Sequence, residues 1–459
     1  MGGAQPTSDE VVHDGKPPPL AAAAETELDA GAQFVLKSRG SWIHCGYHLS
    51  TSIVAPALLS LPFAFGSLGW TAGILCLMIG ALVTFYAYNL LSLVLEHNAQ
   101  LGHRHLRFRD MANHTLGARW GKYYVGPIQF LVCYGAVVGC TLLGGQCIKA
   151  IYLLSKPEGN MKLYEFVIIF GGLMLILAQI PSFHSLRHVN LVSLVLSLTY
   201  SACATAGSVY IGTSSKGPRK DYSLNSDHET RIFGIFNAMA IIATTYGNGI
   251  IPEIQATLAP PVKGKMFKGL CICYAVVLTT FFSVSISGYW AFGNLAQGLV
   301  LANFIEDGKP LLPEWFILMT NAFTILQLSA VAVVYLQPTN EILERTFADA
   351  KKGEFSARNV VPRLISRSLS VAVATTIAAM LPFFGDINAL IGAFGFMPLD
   401  FVLPFVLFNA TFKPSKRGLT FWVNTSIAVV FSVIGVVAAV AAVRQIILDA
   451  KTYRLFANV

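Results

Sequence analysis

Eleven runs of about twenty apolar residues recur along the 459-residue chain, and that repetition decides what it can fold into. They cover roughly 43–66, 69–96, 124–154, 162–181, 189–212, 232–256, 267–292, 313–337, 362–383, 386–409 and 420–446. Only 12% of residues are charged and mean hydropathy is +0.59, against about 25% charge in a soluble domain. A chain so poor in charge cannot cover itself with polar surface, so it is predicted to be an all-α membrane protein of eleven transmembrane helices. Minimal turns join the first two runs at Leu68-Gly69 and the ninth and tenth at Gly385-Asp386. The eight cysteines, Cys45, Cys76, Cys133, Cys140, Cys147, Cys203, Cys271 and Cys273, lie in or beside apolar runs without a metal-type pairing, and read as packing residues. Residues 1–40, rich in Asp, Glu, Pro and Ala with no apolar leader core, read as a disordered cytoplasmic tail.

The distribution of Lys and Arg sets the orientation. With the amino terminus inside, the inner loops 97–123, 182–188, 257–266, 338–361 and 410–419 hold fifteen, from Arg104 to Arg417. The outer loops and carboxyl tail hold eight: Lys156, Lys216, Arg219, Lys220, Arg231, Lys309, Lys451 and Arg454. The amino terminus is therefore predicted to be cytoplasmic and the carboxyl terminus extracellular. The basic balance, +8, becomes a topology signal, and no nucleic-acid partner is expected. The sequons at Asn113 and Asn409 then face the cytoplasm and should carry no glycan.

Two of the runs carry helix breakers. The first contains Pro56 and Pro62, and the sixth contains Gly247, Gly249 and Pro252. Proline removes a hydrogen bond from a helix interior. Irregular backbone survives at membrane depth only where protein buries it or it lines a wet cavity. The two interruptions fall at similar depths of runs five apart, which therefore point in opposite directions. Such a pair is the mark of a transporter with inverted repeats, whose unwound joints meet near the midplane. The repeats would span 41–212, with helix 1 broken near Pro56, and 213–409, with helix 6 broken near Tyr246–Gly249. Residues 410–459 would add an eleventh helix and the extracellular tail. Half-helix amino ends attract a carboxylate and exposed carbonyls accept from an ammonium, so a small zwitterion suits a site with few formal charges.

Acids inside a membrane are costly and default to functional hypotheses. Glu253 follows Pro252 just beyond the second joint. It either takes and releases a proton, or caps loose amides near the break and pairs with an inner-loop Lys. For Asp400 a structural role is favoured; Glu165 and Glu314 sit near outer ends. His44 and His48 lie a turn apart on the first half-helix. His44 is read as a packing residue, whereas His48 is either that or a proton relay. Asn321, Thr324 and Gln327 on the eighth run are cavity groups or polar helix–helix glue. Tyr134, Gly135 and Gly139 face a cavity or permit close packing. No Walker loop, catalytic triad or metal signature is present, so neither an enzyme activity nor a cofactor is expected.

The runs His44–Pro62 and Phe236–Gln255, together with Leu326–Pro338 and Leu381–Asp386, resemble the plant amino acid/auxin permease family, and most closely its γ-aminobutyrate (GABA) transporter branch. The likeness extends over nearly everything after residue 30. It implies the leucine-transporter fold, a plasma-membrane location and proton-coupled symport of an amino acid. Where the family's amino acid permeases carry Gly-Ser-Gly at the first joint, this chain has Ala55-Pro56-Ala57, as in the GABA branch. On that basis the substrate is expected among Ser52, Val54, Ala55, Pro56, Ala57 and Leu58 of the first joint and Thr244, Thr245, Tyr246, Gly247 and Asn248 of the second, with Tyr134, Asn321 and Thr324 alongside. Its carboxylate would meet amides near Ala57 and Leu58, and its ammonium the groups near Ser52, Thr245 and Tyr246. Glu253 and His48 are the proton-coupling residues expected. Proline, other neutral amino acids and auxin are alternative substrates. A receptor that binds without transporting is the reading from another class.

Overall fold

The computed structural model describes residues 40–452, except 180–186 and positions 216, 225, 260, 261, 263, 307, 350, 351 and 354. The tail expected over residues 1–39, most of the 182–188 loop, Lys216, Lys263, Lys351 and the end of the chain beyond 452 lie outside the described residues. The helices are α1 (Trp42–Ile53), α2 (Leu61–Gln100), α3 (Phe108–Leu116), α4 (Gly126–Ser155), α5 (Leu163–Leu177), α6 (Arg187–Thr213), α7 (His228–Tyr246), α8 (Ile251–Ala256) and α9 (Lys265–Phe292). Then come α10 (Glu314–Phe347), α11 (Ala357–Met380), α12 (Phe384–Ile391), α13 (Met397–Asp400), α14 (Leu403–Phe412) and α15 (Leu419–Thr452). A two-residue hairpin pairs β1 (Ile305–Glu306) with β2 (Lys309–Pro310) in the loop before α10.

Among the described residues, nine helical segments are long and apolar enough to cross a bilayer, and Leu163–Leu177 is a shorter apolar helix. The first segment, Trp42–Gln100, takes in two predicted runs, which part at Gly69. That residue has φ 72°, a left-handed conformation that glycine adopts without a Cβ penalty. The helix carrying the fourth run ends at Leu177 and gives way to a turn at Ala178-Gln179.

Two boundaries differ from expectation. The ninth run ends at Met380, and the turn falls at Leu381–Phe383 rather than Gly385-Asp386. Asp386 therefore lies in the first turn of α12, where a carboxylate suits the positive helix end. α10 runs through Pro338 to Phe347, past its predicted end at residue 337.

The tenth run is not one helix. α12 passes into a π segment, Gly392–Phe396, then α13, a bend at Phe401-Val402, and α14. Pro398 and Pro404 stand at the starts of the two later pieces, where a missing N–H costs least.

α1 packs against α6 and α9, α10 against α4, and α2 against α7. Their shared core includes Leu49, Phe65, Tyr88, Tyr246, Phe281 and Tyr289, all fully or almost fully buried. On α15, Val429, Val430, Val433, Val436 and Val440 are more than half exposed, an apolar face suited to lipid rather than water.

Candidate functional site

The first helix stops where its sequence loses hydrogen-bonding capacity. Pro56 has no N–H, Val54 takes ψ 56°, Ala55 is extended, and the chain re-enters as a 3₁₀ turn over Pro56–Ser60. The carbonyls this frees are taken up by neighbouring hydroxyls. Tyr335 donates to the Ser52 carbonyl at 3.0 Å, and Ser197 and Tyr200 both donate to the Val54 carbonyl at 3.3 Å. On the far side of the break the Leu58 N–H closes on the Ala55 carbonyl at 3.2 Å. Ala57 follows Pro56 at the amino end of this turn, where N–H groups lack an intrahelical partner.

The second break runs from Gly247 to Ile250, between α7 and α8. A Cβ on Gly247 would come within 2.0 Å of the Phe396 ring, so only glycine lets the π segment lie this close. Asn248 organises the stretch. Its N–H donates to Asp400 Oδ2 at 3.0 Å, its Nδ2 donates to Ser52 Oγ at 2.8 Å, and its Oδ1 accepts the Ile250 N–H at 3.2 Å. The two breaks are thus tied to each other through Asn248 and Ser52. Around them, Tyr88 donates to the Tyr246 carbonyl at 2.9 Å and Gln129 Nε2 to the Gly249 carbonyl at 3.0 Å.

Between the breaks lies a small cavity of about 40 Å³, below the range usual for small-molecule sites. Ser52, Ala55, Pro56 and Ala57 line one side, Thr244, Gly247 and Asn388 another, and Gly135, Gly139, Cys140 and Leu143 the face of α4. Leu328, Val331 and Tyr335 of α10 and Phe384, Ile391 and Phe396 complete it. Among the described residues, no Asp, Glu, Lys, Arg or His is in the lining. The pocket can therefore hold a molecule by dipoles, hydroxyls and apolar contact, without a fixed counter-charge.

Six of the expected substrate residues meet at this cavity: Ser52, Ala55, Pro56, Ala57, Thr244 and Gly247. Val54, Leu58 and Asn248 are buried just behind them. The others sit elsewhere. Tyr134 donates to the Ser370 carbonyl on α11 at 2.7 Å. Thr245 turns back to the Ile241 carbonyl at 2.9 Å, and Tyr246 reaches the Leu77 carbonyl at 2.8 Å. Asn321 and Thr324 bond the Ile317 and Thr320 carbonyls one turn earlier, both at 2.8 Å. At the first break the Leu58 N–H bonds the Ala55 carbonyl, and the Ser52 carbonyl accepts from Tyr335 with one of its two lone pairs.

Glu253 is buried, accepts a hydrogen bond from Gln129, and borders a separate space with Arg107, Arg109 and Lys122. His48 is buried within α1 and does not line the cavity. His44 Nδ1 accepts the Ser41 N–H at 3.1 Å, which makes it a capping residue. Several lining residues were not legible in the sequence. Asn388 donates to Ser60 Oγ at 3.1 Å and its carbonyl accepts the Thr244 hydroxyl. The Gly-Ala-Phe-Gly-Phe run at 392–396 was the available signal, because glycines flanking aromatics inside an apolar run mark close approach.

A helical membrane protein with two interrupted helices tied together over an uncharged central cavity belongs to the carriers. The chain belongs to the transmembrane amino acid transporter protein family, whose model matches residues 38–448. It is 67% identical to GABA transporter 1 of Arabidopsis thaliana, over 95% of this chain and 97% of that one. Lysine histidine transporter-like 1 of the same plant is 29% identical over 96% and 98%. Among solved structures, an outward-open sodium-coupled sialic acid symporter matches with a TM-score of 0.52 at 12% identity, over 95% of this chain and 94% of that one. A nucleobase-cation-symport-1 family transporter, closed around bromovinylhydantoin, matches with 0.55 at 14% identity, over 94% and 98%. These two share the fold.

Proposed function

We propose that this amino acid transporter is a proton-coupled symporter that imports γ-aminobutyrate across the plasma membrane. The observation that carries the reading is the uncharged cavity between two helix breaks, with Ala57, at a helix amino end, in its lining. A helix amino end is a ready anion site, so the substrate carboxylate is placed there. The ammonium is placed against the Thr244 and Ser52 hydroxyls. GABA separates its charged ends by three methylenes, which the apolar lining of Leu143, Leu328 and Val331 suits. The high identity to a relative named as a GABA transporter supports the same substrate. The more distant lysine histidine transporter-like relatives support an α-amino acid as the second reading.

In this account eleven helices cross the bilayer, five and five in inverted repeat plus one. The amino terminus lies in the cytoplasm and the carboxyl terminus outside. Glu253 borders the space lined by inner-loop Arg107 and Arg109, which suits a group that releases a proton inward. One charge falling through roughly 100 mV gives about 2.3 kcal/mol, and one pH unit about 1.4 more. Together they support several-hundred-fold accumulation of a neutral zwitterion per proton.

The test is labelled GABA uptake into proteoliposomes under separately imposed proton and sodium gradients, for wild type and Glu253→Gln, with a panel of competing amino acids. Proton-driven uptake of GABA, lost in Glu253→Gln, is the expected result. Uptake driven by sodium alone refutes the coupling, and a panel in which proline or another amino acid displaces GABA as substrate refutes the specificity.

A further inference from the structure

Asp400 lies on α13, directly after the π segment. Its residue is fully buried. Oδ2 accepts the Asn248 N–H at 3.0 Å, whereas Oδ1 has no hydrogen-bond partner among the described residues. The Tyr88 hydroxyl on α2 stands within hydrogen-bonding reach of its carboxyl, and the hydroxyls of Tyr274 on α9 and Tyr335 on α10 and the Cys133 thiol on α4 lie near enough to feel its charge. All four are neutral at physiological pH. No Lys, Arg or His among the described residues pairs with it.

A carboxylate held in a dry interior without a cation is unstable, and such a group neutralises itself by taking a proton. A purely structural acceptor for the Asn248 N–H needs no ionisable group, since an amide oxygen serves as well. Asp400 is also connected to the cavity by a short path. Its Oδ2 holds Asn248, Asn248 Nδ2 holds Ser52 Oγ, and Ser52 lines the cavity. Ionising Asp400 would turn its bond to Asn248 into a charge-assisted one, roughly twice as strong, and would draw on the same residue that ties the two breaks together.

We propose that Asp400 is a proton-binding site coupled to the substrate cavity through Asn248, which holds a proton while the two breaks are tied and releases it when they part. The proton arrives from the outer medium on Oδ1 and leaves to the cytoplasm, with no change of net bonds in the protein. The inference rests on the symport reading and adds to it a second carboxyl, across the unwound stretch from Glu253.

The experiment compares wild type, Asp400→Asn and Asp400→Glu in proteoliposomes by two readouts. One is exchange of labelled for unlabelled GABA at equal pH, which needs no net proton movement. The other is accumulation driven by an imposed proton gradient. In Asp400→Asn, a fixed mimic of the protonated acid, exchange should stay within about threefold of wild type, while several-hundred-fold accumulation falls to about onefold. In Asp400→Glu, accumulation should persist with a displaced pH optimum. Wild-type accumulation in Asp400→Asn overturns the proposal, and where that variant does not fold, an unshifted pH profile in a folded Asp400→Glu does so. Accumulation driven by sodium and lost in Asp400→Asn makes the site a metal-cation site and overturns the proton assignment. Wild type that exchanges GABA but accumulates it under no gradient refutes the symport reading itself, and the proposal with it.

Discussion

If Asn248 and Ser52 tie the breaks together, their substitutions must be energetically coupled. Ser52→Ala leaves Asn248 Nδ2 without its acceptor, at a cost of about 1–3 kcal/mol for an unmet buried donor. Asn248→Ala removes that donor and also the acceptor of the Ile250 N–H, for about 2–4 kcal/mol. The double variant loses the 2.8 Å bond only once, so its cost should fall short of the sum by about 1–2 kcal/mol. If the tied arrangement is the one that holds substrate, the shortfall appears as about 5–30-fold in KM for GABA uptake. The assay is initial-rate uptake for wild type, both single variants and the double. KM effects that simply multiply, with additivity to within about 0.3 kcal/mol, would refute the tie as part of the substrate-competent state.

Three further outcomes are expected. Gly139→Ala should fold and transport, because its new Cβ would meet Phe384 at an ordinary 3.7 Å, whereas Gly139→Leu should fill the cavity and abolish uptake without lowering the unfolding temperature. Gly392→Ala should instead damage the fold, since its Cβ would lie 2.0 Å from the Ala240 carbonyl oxygen on α7. A loss of about 1–3 kcal/mol or more should appear as a lowered thermal midpoint. In the loop between α2 and α3, burial, with His114 and then His103 nearby, pulls His105 down to about 4 from its ordinary 6.5. The fold therefore favours neutral His105. Its contribution to stability is complete above about pH 6.5 and is lost as pH falls from there through about 4. His105→Gln should flatten the drop in thermal midpoint between about pH 7 and pH 5, and an equal drop in both proteins would contradict this.

The two breaks could be read in the sequence because their causes are local. Pro56 lacks an N–H wherever it sits, and Gly247 and Gly249 weaken any helix that contains them. Gly135 and Gly139 left two readings open, since small residues on a helix serve close packing as well as a cavity, and both glycines line the cavity. Polar residues on continuous helices were not separable in this way. Asn321 and Thr324 look like site groups in a one-dimensional reading, yet each satisfies itself on a carbonyl of its own helix. Tyr134 was placed by a partner on α11, more than two hundred residues on. The interruption of the tenth run escaped because its glycines sit among phenylalanines and kept the run apolar. Its consequence escaped with it: Asn388 and Asp400 reach the second joint only when the π segment folds against α7. Glu253, the acid that sequence favoured, and Asp400, which it set aside, both end beside the same unwound stretch.

The claim on which the rest depends is that substrate sits between the two breaks. It can be tested by placing a thiol in the cavity with Gly139→Cys and following its modification by a small alkylating reagent, resolved by residue. GABA at about ten times its Kd should slow modification at position 139 about tenfold while leaving the exposed Cys271 unaffected. A variant that transports GABA yet is modified at position 139 at the same rate with and without it would place the substrate elsewhere.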